Sequence, residues 1–546
     1  LISSYVDAGT LNVDGIFAPR QLNVLGGTVS GSGTILTQSG VLVAGGILTP
    51  GAVGGVGTLS VTGGAGFGST GMLGIDFAGL TSADRLNVTG NLVLGGGFAA
   101  NFLNGYVPDF GTSWTVASAT GTTSGSFAMI ASNLPGVLRA TPRVVGKDVL
   151  VDITALPYAT FAACASVQCS SLASLLDSSR ASNYSALASV YRYSDRLNAV
   201  EAGNFLRSLT PWDNGLAAQS MLRTSESMSA MIMGRVAQVR QTGAQGANWG
   251  GVQMAAISGG TGDVLPVSSG SDTMKPGWSV FGEVRGLRAN AEAQQGFVGA
   301  STETVTGLVG VDYTQKNYVL GAALHLANGT SKLSNRGAKT KSDAVAMSVY
   351  GSVSGPVLAL DAYASRGGGN LDMIRAAGPL AASGSTDSTL TSFGAALSAT
   401  NKTSWGSYVP SVSMAYDKAV IDAYRESGPI GLTIGERTVE SLVARLGVTA
   451  YGDFGSAGTI KPWVRVAVAH DFQASDTGAT GLGFASAAGG AVANVAGLGQ
   501  DESWGELGLG LEAKVKSATL GLSYETTIDR TDVRVEQVRA RVRVAF

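Results

Sequence analysis

The last nine residues of the chain, VRARVRVAF (538–546), alternate between apolar and basic side chains. Successive side chains of a β-strand point to opposite faces, so Val538, Val542 and Val544 share one face and the arginines share the other. In water the apolar face needs a protein core, whereas in a lipid bilayer it needs no other cover. The ending therefore indicates a strand of either a soluble sandwich or a membrane barrel.

The same alternation continues through residues 275–546 in about twelve segments, an even number of the kind that bacterial outer-membrane barrels require. In one of them, Leu320, Leu324 and Leu326 oppose His325. Aromatic side chains stand near the ends of the segments: Trp278, Tyr313, Tyr318, Trp405, Tyr416, Trp463, Trp504 and Tyr524. A soluble β-sandwich would show the same alternation, but many segments have about ten residues or more, and this length and the aromatic positions favour a membrane barrel.

The polar face of these segments is predicted to line the lumen of the barrel, where water or another part of the chain can solvate it. Its charged candidates are Glu283, Arg285, Arg445, Arg465, Glu506, Glu512, Arg539, Arg541 and Arg543. We expect the acidic members to pair with the C-terminal arginines, because carboxylates buried beside arginines are usually structural.

The composition argues against two other classes of protein. Only 14% of the 546 residues are charged, yet no run of about eighteen uncharged apolar residues occurs, so membrane-spanning helices are not expected. The formal net charge of -2 argues against a nucleic-acid partner. Because the chain starts at Leu1 without an initiator methionine or a signal peptide, we expect it to be the C-terminal part of a longer protein.

Residues 1–90 carry a short repeat. The segments GTLNVDG, GTILTQSG, GTLSVTG and DRLNVTG begin at Gly9, Gly33, Gly57 and Asp84, with spacings of 24, 24 and 27 residues. Short apolar strands between glycines at such a period predict the coils of a right-handed parallel β-helix. From Asn91 the repeat fades into an aromatic-rich segment, 91–154, which we interpret as the cap of the solenoid.

Residues 155–245 predict helices, broken at Pro211 and followed by a turn or cap at 212–215. A helix over 216–240 would be about 37 Å long, enough to cross a barrel whose apolar band is roughly 25 Å tall. Its small side chains suit a narrow pore, whereas Met228, Met231, Ile232 and Met233 are expected to pack outside it. A soluble helical bundle is the alternative for this segment alone, and a flexible loop is predicted at 246–274.

The order of these regions resembles the C-terminal part of a monomeric autotransporter of the type V secretion pathway. The passenger-associated repeat of that family is similar to residues 31–64, GSGTILTQSGVLVAGGILTPGAVGGVGTLSVTGG, and the end of its passenger is similar to DRLNVTG with GTSWTVASATGTTSGSFAMI. The first barrel strand of the family is similar to WSVFGEVRG (278–286), and the last strand is similar to VRVAF. The resemblance implies a Gram-negative outer-membrane translocator that exports an N-terminal, adhesin-like β-helical passenger to the cell surface, with 91–154 as an autochaperone-like region.

The same resemblance implies partners. The barrel-assembly machinery would read Val542, Val544 and Phe546 as its signal, periplasmic chaperones would escort the chain, and the barrel would meet outer-membrane lipid. The passenger would bind an unknown surface ligand. Some autotransporters cut themselves at an asparagine in the pore; Asn214 and Asn248 beside Glu283, Glu506 or Glu512 are the candidates here, although retention of the passenger is the expectation.

The residues themselves carry no catalytic or cofactor-binding motif. The two histidines are His325 and His470, and His470 and Asp471 point to opposite faces of a strand, which does not suit a barrel protease. We expect no enzymatic activity, cofactor or metal, although a passenger upstream of this fragment is open to enzymatic roles. The C-x4-C pair Cys164 and Cys169 lacks histidine neighbours, so a disulfide is favoured over zinc or free thiols, and it requires a break in the helix.

Two functions stay open. The first is a translocator that exports its own β-helix, and the alternative is a solute-conducting outer-membrane barrel plugged by a helix. The long helix directly before the first strand favours the translocator, and so does the upstream β-helix. A soluble β-helix enzyme fused to a sandwich is a third reading, but the sequence lacks the clustered acids and bases that such an enzyme needs.

Overall fold

The computed structural model describes residues 2–242, 246–256, 277–291, 299–334, 337–454, 460–474, 479–487, 492–495, 501–515, 518–530 and 536–544. The chain forms two compact units. The first consists of Leu1–Cys164 with Arg180–Asn204, and the second of Ala165–Ser179 with Phe205–Phe546.

The first unit contains the short strands that the repeat predicts. They are β1 (Ser4–Val6), β2 (Thr10–Asn12), β3 (Ile16–Phe17), β4 (Leu22–Val24), β5 (Thr28–Ser30), β6 (Thr34–Leu36), β7 (Val41–Val43), β8 (Ile47–Leu48), β9 (Thr58–Thr62), β10 (Ala65–Phe67), β11 (Met72–Gly79), β12 (Ser82–Ala83), β13 (Arg85–Val88), β14 (Leu92–Leu94), β15 (Gly97–Phe102), β16 (Ser113–Ala119), β17 (Thr123–Gly125), β18 (Met129–Ser132), β19 (Leu138–Val145) and β20 (Asp148–Ala155). The chain visits three parallel sheets in turn, β1-β4-β7-β10-β14-β17, β2-β5-β8-β11-β15-β18 and β3-β6-β9-β13-β16. Such an arrangement is a parallel β-helix.

The coils of this β-helix lengthen along the chain. In the first coils Ser30 bonds Asn12 eighteen residues earlier, whereas Thr122 bonds Asn91 across thirty-one residues. Thr10 begins β2 and Thr34 begins β6, in different sheets, so the predicted 24-residue step between them is wrong. The coils also continue through β18 instead of ending near residue 91. The antiparallel hairpin of β19 and β20 departs from the parallel pattern, and so does the short strand β12, which pairs antiparallel with β11.

The widening coil explains the change from aliphatic to aromatic residues. Early coils close around Val24, Val29 and Ile35, and all three are fully buried. Later coils enclose Phe77, Phe102 and Trp114, whose rings lie 4.7 Å (Phe77–Phe102) and 4.9 Å (Phe77–Trp114) apart. The indole N–H of Trp114 donates to the carbonyl of Gly79 at 3.2 Å. Larger rings fill the larger interior, because a void would forfeit contacts on every side.

A buried carboxylate joins two coils of the β-helix. Asp84 follows β12 and is fully buried. One of its oxygens accepts the backbone N–H of Gly57 and the other that of Asp76, each at 2.8 Å. Burial raises the pKa of Asp84 to about 7, although the two N–H groups oppose the rise.

We therefore expect the β-helix to lose stability as the pH rises from about 4 to 7, between the unfolded and the folded pKa of Asp84. An acid whose pKa is raised by folding stabilises the fold fully below its unfolded pKa, and this contribution is lost as the pH passes its folded pKa. The slope should not exceed about 1.4 kcal/mol per pH unit, the effect of one proton. Amide hydrogen exchange of Leu59 and Leu86, corrected for its intrinsic pH dependence, measures the slope. Asp84→Asn should flatten it, and an unchanged slope in that variant would contradict the assignment.

Five helices follow: α1 (Tyr158–Phe161), α2 (Val167–Asn183), α3 (Ala188–Ser194), α4 (Ala199–Leu209) and α5 (Trp212–Thr242). α5 includes the predicted helix at 216–240 but starts earlier, and residues 212–215 form its first turn instead of a cap. Pro211 lies just before it, where a missing N–H costs nothing. None of the helices in the described residues is both long and apolar enough to cross a membrane.

Part of the helical region is tied to the β-helix within the first unit. Arg180 donates to both carboxylate oxygens of Asp195, at 2.9 and 2.7 Å, and lies 4.5 Å from the ring centre of Tyr191. The carbonyl of Asp195 accepts the N–H of Val137, which precedes β19, at 3.1 Å. Residues 155–245 are therefore not one linker, as their composition suggested.

Both cysteines are disulfide-bonded. Cys164 lies before α2, which begins at Val167, and Cys169 lies inside it. The helix therefore does not include both cysteines, which is the condition that the sequence sets for a bridge.

The second unit contains the long strands. They are β21 (Gly246–Ala256), β22 (Gly277–Ala291), β23 (Ala300–Thr314), β24 (Tyr318–Leu333), β25 (Lys339–Ser354), β26 (Leu358–Ala377), β27 (Leu380–Ala399), β28 (Asn401–Thr403), β29 (Gly406–Ile421), β30 (Tyr424–Arg425), β31 (Leu432–Ile434), β32 (Arg437–Gly452), β33 (Ile460–Asp471), β34 (Thr480–Phe484), β35 (Ala493–Val495), β36 (Ser503–Val515), β37 (Ala518–Ile528) and β38 (Glu536–Val544). Twelve of those described, β22–β27, β29, β32, β33 and β36–β38, pair antiparallel with their sequence neighbours. This is the predicted order of a barrel wall.

The strand β21 is not predicted by the sequence. It pairs parallel with β22 and also lies against β38, so the sheet closes on itself through β21. The segment 246–256 is thus a strand instead of part of a flexible loop, because the edges of the first and last strands offer it backbone partners. Residues 257–274 of the predicted loop lie outside the described residues.

The two ends of the barrel differ. At one end strands are joined by short turns, such as 315–317 and 355–357. At the other end the segments between β29 and β32 and between β33 and β36 are long, and they contribute β30, β31, β34 and β35 to a separate four-stranded sheet. We call these the short-turn end and the long-loop end; in outer-membrane barrels they face the periplasm and the outside, respectively.

Candidate functional site

The barrel wall has an apolar outer face and a mainly polar inner face. Along β24, Leu320 and Leu326 are 60% and 52% exposed, while His325 between them is fully buried. Nε2 of His325 lies 2.8 Å from the hydroxyl of Ser348 on β25. An exposed apolar face and a buried polar face reverse the usual order of a soluble sheet, as the alternation predicts for a wall in lipid.

Exposed aromatic side chains lie near the short-turn end. Trp278 and Trp405 are the most exposed tryptophans that the structure describes, and the ring of Trp278 lies 4.9 Å from that of Tyr313. These positions suit a membrane interface. Trp504 differs from this pattern, because it is buried on the inner face and the guanidinium of Arg530 lies 4.0 Å from its ring centre.

The helix α5 lies inside the barrel, against β23–β27, β29 and β32. Met231 and Met233 belong to one buried cluster with Phe281, Tyr350 and Tyr363 of the wall. The prediction that the methionines pack outside the pore is therefore wrong: Met228 and Ile232 are buried as well. A helix surrounded by wall has no outward face, and flexible thioethers fill the gaps between the rings.

Hydroxyl groups join the middle of α5 to the wall. Ser225 donates to a carboxylate oxygen of Asp417 on β29 at 2.7 Å. The hydroxyls of Ser229 and Ser392, which lies on β27, are 2.7 Å apart. All four side chains are buried. Small polar residues therefore let the helix approach the wall closely and satisfy its polar groups.

A buried ion pair holds α5 near the short-turn end. Nε of Arg235 donates to Asp312 on β23 at 2.7 Å, and an Nη donates to the hydroxyl of Ser279 on β22 at 2.6 Å. Asp312 also accepts the hydroxyl of Tyr350 at 3.0 Å. The guanidinium lies 4.4 Å from the ring centre of Phe281. Three strands thus contribute to the site of one arginine.

A second charged cluster lies on the opposite part of the wall. Glu506 on β36 accepts Nε of Arg445 at 3.0 Å and an Nη of Arg465 at 3.3 Å. All three are buried. Glu226 of α5, paired with Arg223 at 3.2 Å, interacts electrostatically with Arg445. The cluster therefore places wall arginines opposite a helix carboxylate.

Comparison with known proteins shows which family the barrel wall matches. A family model described as autotransporter beta-domain matches residues 280–525. This part of the chain is an autotransporter beta-domain. The barrel is therefore an outer-membrane translocator, and its apolar face lies in the lipid of that membrane.

Solved structures with similarity to the chain include three autotransporter barrels. The translocator domain of NalP from Neisseria meningitidis has 18% identity, with 46% of this chain and 83% of that chain covered and a TM-score of 0.37. The beta domain of the Bordetella autotransporter BrkA has 14% identity, with 49% and 98% covered and a TM-score of 0.34. The transport unit of AIDA-I from Escherichia coli has 11% identity, with 59% and 99% covered and a TM-score of 0.34. No curated protein matches the chain.

The structure places the predicted lumen residues of the autotransporter beta-domain unevenly. Arg445, Arg465 and Glu506 come together, so Glu506 has two wall arginines as partners. The expected pairing of acidic residues with the C-terminal arginines involves side chains outside the described residues. Arg285 is buried and Glu283 half-buried on the same face of β22, and Glu512 is half-buried on β36.

The C-terminal residues are described only in their backbone. Arg539, Arg541 and Arg543 pair with Ser523, Gly521 and Thr519 across β37 and β38, and Val542 and Val544 lie in the same strand. Their side chains and Phe546 lie outside the described part of the structure. The side chain of Asn248 does too, whereas Asn214 lies buried in the first turn of α5.

Sequence reasoning missed the wall residues that bind α5. Asp312 and Asp417 are single acidic residues in strands of the autotransporter beta-domain, and no motif surrounds them. Their position in the alternating pattern was the available signal. Each stands on the polar face of its strand, where a charged side chain needs a partner. The partner of the helix residue Arg235 depends on how far α5 enters the lumen, which no local sequence pattern gives.

Proposed function

We propose that the chain is the C-terminal part of an autotransporter whose barrel exports the β-helix and displays it on the bacterial surface. The observation that carries this proposal is α5. This helix of 31 residues lies against the inner face of β23–β27, β29 and β32 and, along the chain, stands between the β-helix and the barrel strands. A chain whose N-terminal part has passed outward through the barrel is left with such a segment in the lumen.

The alternative of a solute-conducting barrel with a removable plug has less support. A removable plug would have to break the buried ion pair of Arg235 with Asp312. It would also lose the hydrogen bond between Ser225 and Asp417. Contacts of this kind suit a helix that stays in place.

Folding of the β-helix supplies a driving force that needs no nucleotide. Burial of apolar surface contributes roughly 25 cal/mol per Å², and the widest coils, at 91–132, bury Phe98, Phe102 and Trp114. These coils lie nearest to α5 in the sequence and would leave the lumen first. We infer that they and the hairpin of β19 and β20 act as the autochaperone-like template for the earlier coils.

We assign the β-helix an adhesive role and no enzymatic activity. Thr34, Ser60, Asn87 and Ser118 form one outward row, in register across β6, β9, β13 and β16. Hydroxyl and amide groups in a regular row suit hydrogen bonding to a surface ligand. Before export, periplasmic chaperones would hold the chain, and the barrel-assembly machinery would read Val542, Val544 and Phe546.

Antibody labelling of intact cells tests the export step. The chain, secreted to the periplasm of a Gram-negative host by an added signal peptide, should show its β-helix at the surface. The same chain without residues 277–544 should label only after the outer membrane is opened. A β-helix that stays in the periplasm while the barrel is inserted would overturn the proposal.

A further inference from the structure

Two of the largest fully buried side chains in the described residues, Arg375 and Arg437, lie at the long-loop end of the barrel. Arg375 is near the end of β26, and Arg437 is the first residue of β32. Each is 2% exposed. An arginine stays charged, so a buried guanidinium needs acceptors for its N–H groups. The hydrogen-bond acceptors of the two guanidinium groups therefore show which part of the chain each arginine binds.

The acceptors of Arg375 come from two parts of the chain. Its Nε donates to Glu426 at 3.0 Å, and one Nη donates to the carbonyl of Ile430 at 2.6 Å; both partners lie between β29 and β32. The other Nη donates to the carbonyl of Leu209, the last residue of α4, at 3.0 Å. A cation at the C-terminal end of a helix also interacts favourably with the helix dipole.

Arg437 binds the other side of the same connection. Its Nε donates to the side-chain oxygen of Asn214 at 2.6 Å. Asn214 is fully buried in the first turn of α5. Leu209 and Asn214 bracket the connection between α4 and α5, and we call residues 209–214 the joint. The two arginines thus contact both ends of the joint.

The contacts extend to the four-stranded sheet at the long-loop end. Glu426 accepts the backbone N–H of Leu432 in β31 at 2.8 Å. Gly435, just after β31, donates its N–H to Gly481 in β34 at 2.8 Å. The buried side chains of this sheet are Tyr424, Leu432, Ile434, Thr480, Leu482, Phe484 and Val495. A continuous series of bonds therefore runs from the joint through Arg375 and Glu426 to the sheet.

We propose that Arg375 and Arg437 are positioning residues that recognise the joint and fix α5 at one register in the lumen. At this register a helix-end carbonyl and an asparagine amide face the two guanidinium groups. A chain displaced along the lumen would leave both charges buried with fewer acceptors, which is costly. The inference rests on the proposed function, because it describes where an exported chain stops.

Single-channel recording of the full chain in planar bilayers tests this recognition. Asn214→Ala and Arg375→Met should each raise the fraction of time in a conducting state by about tenfold, since a hydrogen bond to a charged group contributes about one decade in an equilibrium constant. Asn214→Asp keeps the oxygen acceptor and should conduct like the wild type. Arg366→Met is the matched control, because Arg366 lies exposed on the other face of β26.

Conduction by Asn214→Ala and Arg375→Met at the wild-type level, in barrels that still migrate as folded on an unheated gel, would overturn the inference. Asn214 lies outside the wall, so its variant decides the question even if Arg375→Met fails to fold. Export is scored separately by cell-surface labelling of the wild type. If the wild type is exported normally but the variants conduct no more than the wild type, only the positioning role is contradicted. If the variants conduct more but the wild type is not exported, only the proposed function is contradicted.

Discussion

Replacing Asp312 with alanine should loosen α5 and lower the temperature at which the folded barrel is lost. The change leaves the guanidinium of Arg235 buried without its carboxylate, a situation that costs about 3–5 kcal/mol. The hydroxyls of Ser279 and Tyr350 would lose the same acceptor. The measurement is the temperature at which the folded band on a denaturing gel converts to the unfolded band.

Two further variants make this test specific. Arg235→Met combined with Asp312→Leu removes both charges and should recover most of the loss, because a buried pair can often be replaced by apolar side chains. Asp343→Ala, an exposed position on β25, should have little effect. If Asp312→Ala melts at the wild-type temperature, the ion pair does not hold the helix.

Replacing Trp114 with alanine should destabilise the β-helix by about 3–5 kcal/mol, the usual cost of removing a large buried aromatic side chain. Its ring packs on Phe77 and Phe102 in the wide coils. The urea concentration at which the β-helix becomes sensitive to protease measures the loss. If folding of these coils drives export, the variant should also reach the cell surface in smaller amounts, with the same amount of barrel.

Met129→Ala provides the control for this second prediction. Met129 lies in the neighbouring coil but is 58% exposed, so its truncation should change the urea midpoint little. A Trp114→Ala chain as resistant as the control would mean that the aromatic cluster is not what stabilises the wide coils. If the Trp114→Ala chain reaches the cell surface in normal amounts although its β-helix is much less stable, folding of these coils does not drive export.

The strands of the barrel could be predicted from sequence because lipid and lumen impose opposite chemistry on alternate residues. Leu320 and His325 show that rule, and the structure follows it. Trp504 stands near a strand end, but it shares parity with Glu506 and is buried on the inner face. The parity of a residue was more informative than its position near a strand end.

Other features had no local signal. Strands of three residues between glycines do not fix a register, so the 18-residue first coils could not be read from repeats such as those at Gly33 and Gly57. The apolar methionines of α5 contrast with its small polar residues in sequence, but a helix buried within a barrel packs both kinds of side chain against the wall. The contacts of Arg375 and Arg437 depend on loops distant in sequence.

The most direct test concerns the apolar outer face of the wall. The chain is purified from outer-membrane fractions in detergent and run on a denaturing gel, unheated and boiled. A closed barrel in lipid predicts a faster-migrating unheated band, and it predicts that in intact cells the strands are shielded from added protease. A chain that stays soluble without detergent and shows no shift would mean that an ordinary core buries the valines of VRARVRVAF, and the translocator would be contradicted.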